Sequence, residues 1–135
     1  MIEKSFEAKT ENLHLVLDFL ESELEKHGCN MKTSTSLAIA MEELFVNIAS
    51  YSYPNGKGDA TLKLDFIDND VIMTLIDSGI AFDPLAKVDP DITLSAEERD
   101  IGGLGIYMVK KTMDDIKYER NNNNNILTMK KRIKD

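Results

Sequence analysis

The sequence predicts an α+β domain, and three observations carry that expectation. Five short stretches have strand character, three longer ones place apolar residues at three- and four-residue steps, and turn-forming clusters separate them. At 135 residues, the chain reads as one domain spanning 1–135, which buries roughly two-thirds of the surface exposed by its unfolded chain.

In the first stretch Ile2, Lys4, Phe6 and Ala8 alternate with Glu3, Ser5, Glu7 and Lys9, as in a half-buried strand at an edge or early in a sheet. Leu13, Val16, Leu17, Leu20 and Leu24 then mark an amphipathic helix, with Asn12 placed to cap its start and Gly28 its end. A second helix is expected from Thr33 or Ser34, with Leu37, Met41, Leu44, Phe45 and Ile48 on its core face. It runs out by Tyr53-Pro54-Asn55-Gly56, which is turn chemistry.

Ala60, Leu62, Leu64 and Phe66 alternate, and Val71 to Ile76 is a nearly unbroken apolar run after Asp68-Asn69-Asp70, so the two read as a hairpin. From Asp83 to Ile101 the chain has prolines at 84 and 90, many acids and little periodicity. A loop of that length inside a small domain reads as a lid or binding element. A third helix carries Met108, Val109, Thr112 and Met113 inward. Ile116 to Arg120 and Ile126 to Ile133 close the chain as a hairpin, with Asn121 to Asn125 as its solvated loop. The methionines at 41, 73, 108, 113 and 129 are expected to fill core gaps.

Composition narrows the function classes. A formal charge of −8 argues against direct nucleic-acid binding, because such affinity comes largely from Lys and Arg displacing counterions. Basic partners or Mg2+-bearing ligands fit better. Cys29 stands alone, so neither an intramolecular disulfide nor a multi-cysteine zinc site is expected. No signal-peptide pattern opens the chain and no apolar run approaches the ~20 residues of a membrane span, so the reading is a cytoplasmic protein with no membrane partner.

Three short motifs carry chemistry. Glu43 and Asn47, at i and i+4, project from one helical face beside the Leu44 and Ile48 stripe, which puts them at the rim of the core. An Asn oxygen is a hard neutral ligand suited to Mg2+, and a neighbouring carboxylate can take a proton from a nucleophile. Taken alone, the same spacing describes a solvated helix face. Asp77 ends a strand and is followed by Ser78-Gly79, where the backbone turns sharply enough to approach a flat ligand, although the composition is equally that of an ordinary turn. A buried carboxylate there accepts from an exocyclic amine such as adenine's.

Gly102-Gly103-Leu104-Gly105 leads into the third helix, whose first amides are unpaired and favour anions. The pattern is neither a Walker A loop nor a strand-led dinucleotide fingerprint. Arg99, at the end of the lid stretch, either reaches a terminal phosphate or is a surface residue among Glu97, Glu98 and Asp100.

In this order and spacing the motifs resemble the GHKL ATP-binding fold shared by gyrase-type topoisomerases, Hsp90 and histidine-kinase catalytic domains. The resemblance rests on Glu43-Leu44-Phe45-Val46-Asn47, on Asp77-Ser78-Gly79-Ile80-Ala81-Phe82-Asp83-Pro84 and on Gly102-Gly103-Leu104-Gly105-Ile106. From about Phe6 to Ile133 the chain looks like the anti-sigma-factor serine kinases of the RsbW type.

That resemblance implies a two-layer α/β sandwich of the Bergerat type, with a mixed, mostly antiparallel sheet, helices on one face and an ATP lid at about 83–101. It implies Glu43 as catalytic base on a partner's serine, Asn47 as Mg2+ ligand, Asp77 and Gly79 at the adenine, and Gly103 and Gly105 at the phosphates. Arg99, Gly102 and Leu104 complete the cofactor-binding set for ATP. Two partners are implied, a sigma factor and an anti-anti-sigma (STAS-type) substrate, and so is a homodimer. A non-catalytic, nucleotide-gated binding module is the alternative. The chain departs from many relatives at Tyr51-Ser52, where they carry His-Gly or His-Ala. It departs again near the start of the last strand, where Asn125 and Ile126 stand in the region of their threonine.

Overall fold

A computed structural model describes residues 1–54, 56–86 and 103–134, with backbone alone at 103 and 104. Among these residues, alternating side chains produce five strands: β1 (Ile2–Glu7), β2 (Asp59–Ile67), β3 (Asp70–Asp77), β4 (Asp115–Asn121) and β5 (Asn124–Arg132). They form one sheet in the order β1-β2-β3-β5-β4. Every adjacent pair is antiparallel, so the sheet is more uniform than the mixed one expected.

Register decides which residues face the core, because a one-residue slip would turn every side chain over. Leu62 opposes Leu75, Leu64 opposes Met73, and Met73 and Leu75 oppose Met129 and Leu127. All of these are buried. One step further along the same face, β3 ends on Asp77, flanked by Ala60 on β2 and Asn125 on β5. The alternation that builds the apolar core therefore carries a carboxylate and a carboxamide onto the same covered face.

The cover is helical: α1 (Leu13–Lys26), α2 (Met31–Asn47) and α3 (Gly103–Thr112). Val16, Leu20 and Leu24 from α1, Leu37, Met41 and Phe45 from α2, and Ile106 and Val109 from α3 join one cluster with the sheet's inner face. Each such side chain contributes about 1.5–3 kcal/mol by leaving water.

Several local expectations change. The second helix begins earlier than expected, at Met31, because the Asn30 side chain accepts from the Thr33 N–H at 2.8 Å. Asn12 does not cap α1 with its side chain; its Nδ2 donates to the Glu7 carbonyl at 2.9 Å. Gly28, at φ +79°, does take the left-handed conformation that closes α1. Met108 faces solvent rather than the core, while Ile106, Val109 and Met113 turn inward. The polyasparagine run is only partly a loop. Asn122 and Asn123 make the turn with positive φ, whereas Asn124 and Asn125 belong to β5 and Asn125 is buried.

Candidate functional site

Asp77 is 6% exposed, and burial of a carboxylate at that level demands partners. Its Oδ1 accepts from the Gly79 N–H at 2.9 Å and from Asn125 Nδ2 at 3.0 Å. Asn125 Nδ2 also donates to the Ile80 carbonyl at 2.8 Å. The Asn125 Oδ1 accepts from Tyr118 OH at 2.5 Å, Arg120 Nη1 at 3.1 Å and the Phe82 N–H at 3.2 Å. Arg120 Nη1 also donates to the Gly79 carbonyl at 2.9 Å. The turn after β3 is thus held from both sides.

The third support of that turn comes from the end of α2. After Asn47 the helix widens into a π-helical turn, Ile48–Ser52, a feature that often marks functional sites. It brings the Ser52 carbonyl to the Ile80 N–H at 2.9 Å. A Cβ on Gly79 would overlap that carbonyl, which is why glycine is needed there. Just beyond, Tyr53 OH donates to the Asp59 carbonyl at 2.7 Å and accepts from the Ser78 N–H at 2.8 Å. Burial pushes the Tyr53 hydroxyl pKa up, the Ser78 N–H opposes it, and the negative charge of Asp77 adds to the rise.

Between α2 and the sheet lies a small cavity, open at its mouth. Leu44, Ile48, Leu75 and Leu127 supply apolar walls, Asp77 and Asn125 a polar end, and Asn47 another polar wall group. Apolar walls with few placed polar groups are what a small-molecule site requires. A flat heterocycle with an amino group suits this acceptor, because Asp77 Oδ2 receives no hydrogen bond from any described residue.

A second, larger groove runs between α2 and α3, with Glu43 and Gly105 in its wall. The Glu43 carboxylate packs directly on Gly105, at the first turn of α3. Glu43 and Leu44 are consecutive on α2, and Leu44 lines the apolar cavity. The two depressions are therefore neighbours across one helix.

A sequence model described as the histidine kinase-like ATPase domain matches residues 6–131. This chain belongs to that family. Among curated relatives, the serine-protein kinases RsbW of Bacillus cereus (strain AH820) and Bacillus anthracis (strain A0248) are each 27% identical over 119 residues, spanning 85% of this chain and 74% of theirs. The histidine kinase domain of the Erythrobacter litoralis EL346 blue-light activated histidine kinase superposes with a TM-score of 0.60 at 12% identity. That match spans 90% of this chain and 61% of the other. Acinetobacter baumannii histidine kinase AdeS gives 0.51 at 14% identity, over 100% of this chain and 69% of that one. At these identities the two structures share the fold.

Within this histidine kinase-like ATPase domain the expected site residues fall into groups. Asn47 and Asp77 line one cavity, and Gly79 shapes the turn beside it. Glu43 and Gly105 meet in the adjoining groove. Gly103 begins α3 and Leu104 follows, both as backbone only. Arg99 and Gly102 lie outside the described residues, as does most of the 83–101 stretch expected as a lid; within it, Pro84–Ala86 is a short 3-10 turn with Pro84 in the cavity wall. Among the described residues no group of three His, Cys, Asp or Glu side chains converges. No described helix is long and apolar enough to cross a membrane.

Ser52, Tyr118, Arg120 and Asn125 were missed as supports of the pocket. Asn125 sits in a run of identical polar residues that reads as solvated, and only its pairing with Asp77 reveals it.

Proposed function

We propose that this protein is an ATP-dependent serine protein kinase that phosphorylates an anti-anti-sigma (STAS-type) protein and sequesters a sigma factor, working as a cytoplasmic homodimer. The observation that carries the reading is the pairing of two adjacent sites. One is a cavity with a buried acceptor at its polar end and Asn47 in its wall. The other holds a carboxylate on the first turn of a glycine-led helix. The names of the RsbW relatives support the choice of serine kinase over histidine kinase.

In this reading Asp77 accepts the adenine amino group, with Gly79 letting the backbone close on the base. Asn47 holds Mg2+, and the amides of Gly103, Leu104 and Gly105 face the phosphates, where a helix start favours negative charge. Gly102 and Arg99 extend the same anion site. Bound Mg-ATP supplies the transferable phosphoryl group. Glu43 takes the proton from the incoming serine hydroxyl, the task of a general base. Apolar walls exclude water from the adenine end and strengthen every polar contact there.

The test is transfer of labelled γ-phosphate from Mg-ATP to an anti-anti-sigma candidate encoded beside this gene, in wild type and Glu43→Ala. Label on a partner serine that disappears in the variant supports the reading. ATP binding with a partner shown to associate, but with no label, replaces the kinase by a nucleotide-gated binding module.

A further inference from the structure

We infer that Asn125, locked by Tyr118 and Arg120, is the positioning residue that makes the polar end of the cavity acceptor-only, so that it selects 6-aminopurines over 6-oxopurines. The inference rests on the nucleotide reading above and deepens it.

The orientation of the Asn125 amide is dictated by its neighbours. Its oxygen faces three donors, Tyr118 OH, Arg120 Nη1 and the Phe82 N–H. Its nitrogen faces two acceptors, Asp77 Oδ1 and the Ile80 carbonyl. A guanidinium and a backbone N–H cannot become acceptors, so the flipped amide would set donor against donor and acceptor against acceptor. Both amide hydrogens are already used, so Asn125 has no donor left for a ligand.

Asp77 inherits this rigidity. Its Oδ1 is taken up by the Gly79 and Asn125 donors, which leaves Oδ2 as the acceptor available to the cavity. A base that brings a C6 amino group to that position completes the oxygen, whereas guanine entering in the same orientation brings its C6 carbonyl there. A base with a carbonyl there sets oxygen against oxygen, and no amide can rotate to relieve it. Arg120 reinforces the arrangement by holding the Gly79 carbonyl with the same nitrogen that holds Asn125. The lock is anchored in β4, the edge strand, whose Tyr118 and Arg120 hold from behind a pocket lined from β3, β5, the end of α2 and the segment after β3.

Isothermal calorimetry with Mg-ATP and Mg-GTP on wild type, Tyr118→Phe, Arg120→Lys and the Tyr118→Phe/Arg120→Met double variant decides the matter. Wild type is expected to prefer ATP by about 100-fold, as an unsatisfied polar contact dictates. In the double variant the ATP:GTP affinity ratio falls by about tenfold, while Arg120→Lys, which keeps a donor, stays close to wild type. If the double variant does not fold, the smaller fall of the ratio in Tyr118→Phe carries the test. Equal weakening of both nucleotides, or an unchanged ratio, assigns the network a merely structural role and overturns the inference. Wild type that binds neither nucleotide overturns the nucleotide reading itself, a separable outcome.

Discussion

The carboxylate of Glu43 on α2 rests on the Cα of Gly105 on α3, so closely that a Cβ at 105 would overlap Oε1. The obstacle is the tip of a flexible side chain, which can swing aside. Gly105→Ala is therefore expected to leave thermal stability within about 1 kcal/mol of wild type while moving Glu43. Phosphoryl transfer to the partner should fall at least tenfold with unfolding nearly unchanged, as read by a kinase assay beside a melting curve.

Glu43→Gln keeps the shape of that contact and removes the base. Loss of a general base costs roughly 10²–10⁴ in rate, so transfer should fall by that range while ATP affinity by calorimetry stays near wild type. A matching fall in affinity would place Glu43 in binding rather than in proton transfer.

Gly79 presents the opposite case, because the atom in the way is the Ser52 backbone carbonyl. Gly79→Ala must push apart the turn after β3 and the π-helical turn, with loss of the Ile80 N–H to Ser52 bond. Chemical denaturation should show a loss of about 1–3 kcal/mol, the usual cost of overpacking.

Asp77→Ala removes the acceptor at the polar end of the cavity and strands the Asn125 and Gly79 donors. A hydrogen bond to a charged group is worth ~1.5–3 kcal/mol, so ATP affinity should fall tenfold or more by calorimetry. Unchanged affinity would move the nucleotide site elsewhere.

Tyr53 gives a pH signature. Its hydroxyl pKa is raised in the folded state, so above about pH 10 the unfolded chain releases this proton first. Its contribution to stability is complete below that pH and is lost as pH rises through the folded pKa. Melting temperature measured from pH 8.5 upward should decline more steeply in wild type than in Tyr53→Phe, after the constant cost of the two lost hydrogen bonds is subtracted.

Much of the architecture is legible because it depends on local periodicity. The strand patterns around Leu62, Leu64, Met73, Leu127 and Met129, and the helical stripes of Val16, Leu20 and Leu24 and of Leu37, Met41 and Phe45, all bury as their spacing requires. Met108 departs because the buried stripe of α3 runs through Ile106 and Val109 and continues to Met113 just past the helix end, which leaves Met108 on the outer side. Asn12 departs because its amide finds the Glu7 carbonyl, a partner across a bend that no propensity encodes.

What the sequence determined by itself is the set of elements, the membership in an ATP-binding fold, and the three chemical motifs around Glu43-Asn47, Asp77-Gly79 and Gly103-Gly105. These are properties of short spans, where spacing and residue type suffice. Only the tertiary structure decided that Asn125 leaves its polyasparagine neighbours to clasp Asp77, that Tyr118 and Arg120 reach in from the edge strand, and that Ser52 closes on Gly79. Those relations join residues tens of positions apart. They exist only once antiparallel register and helix packing bring separate hydrogen-bonding groups together away from water, where each must find a partner.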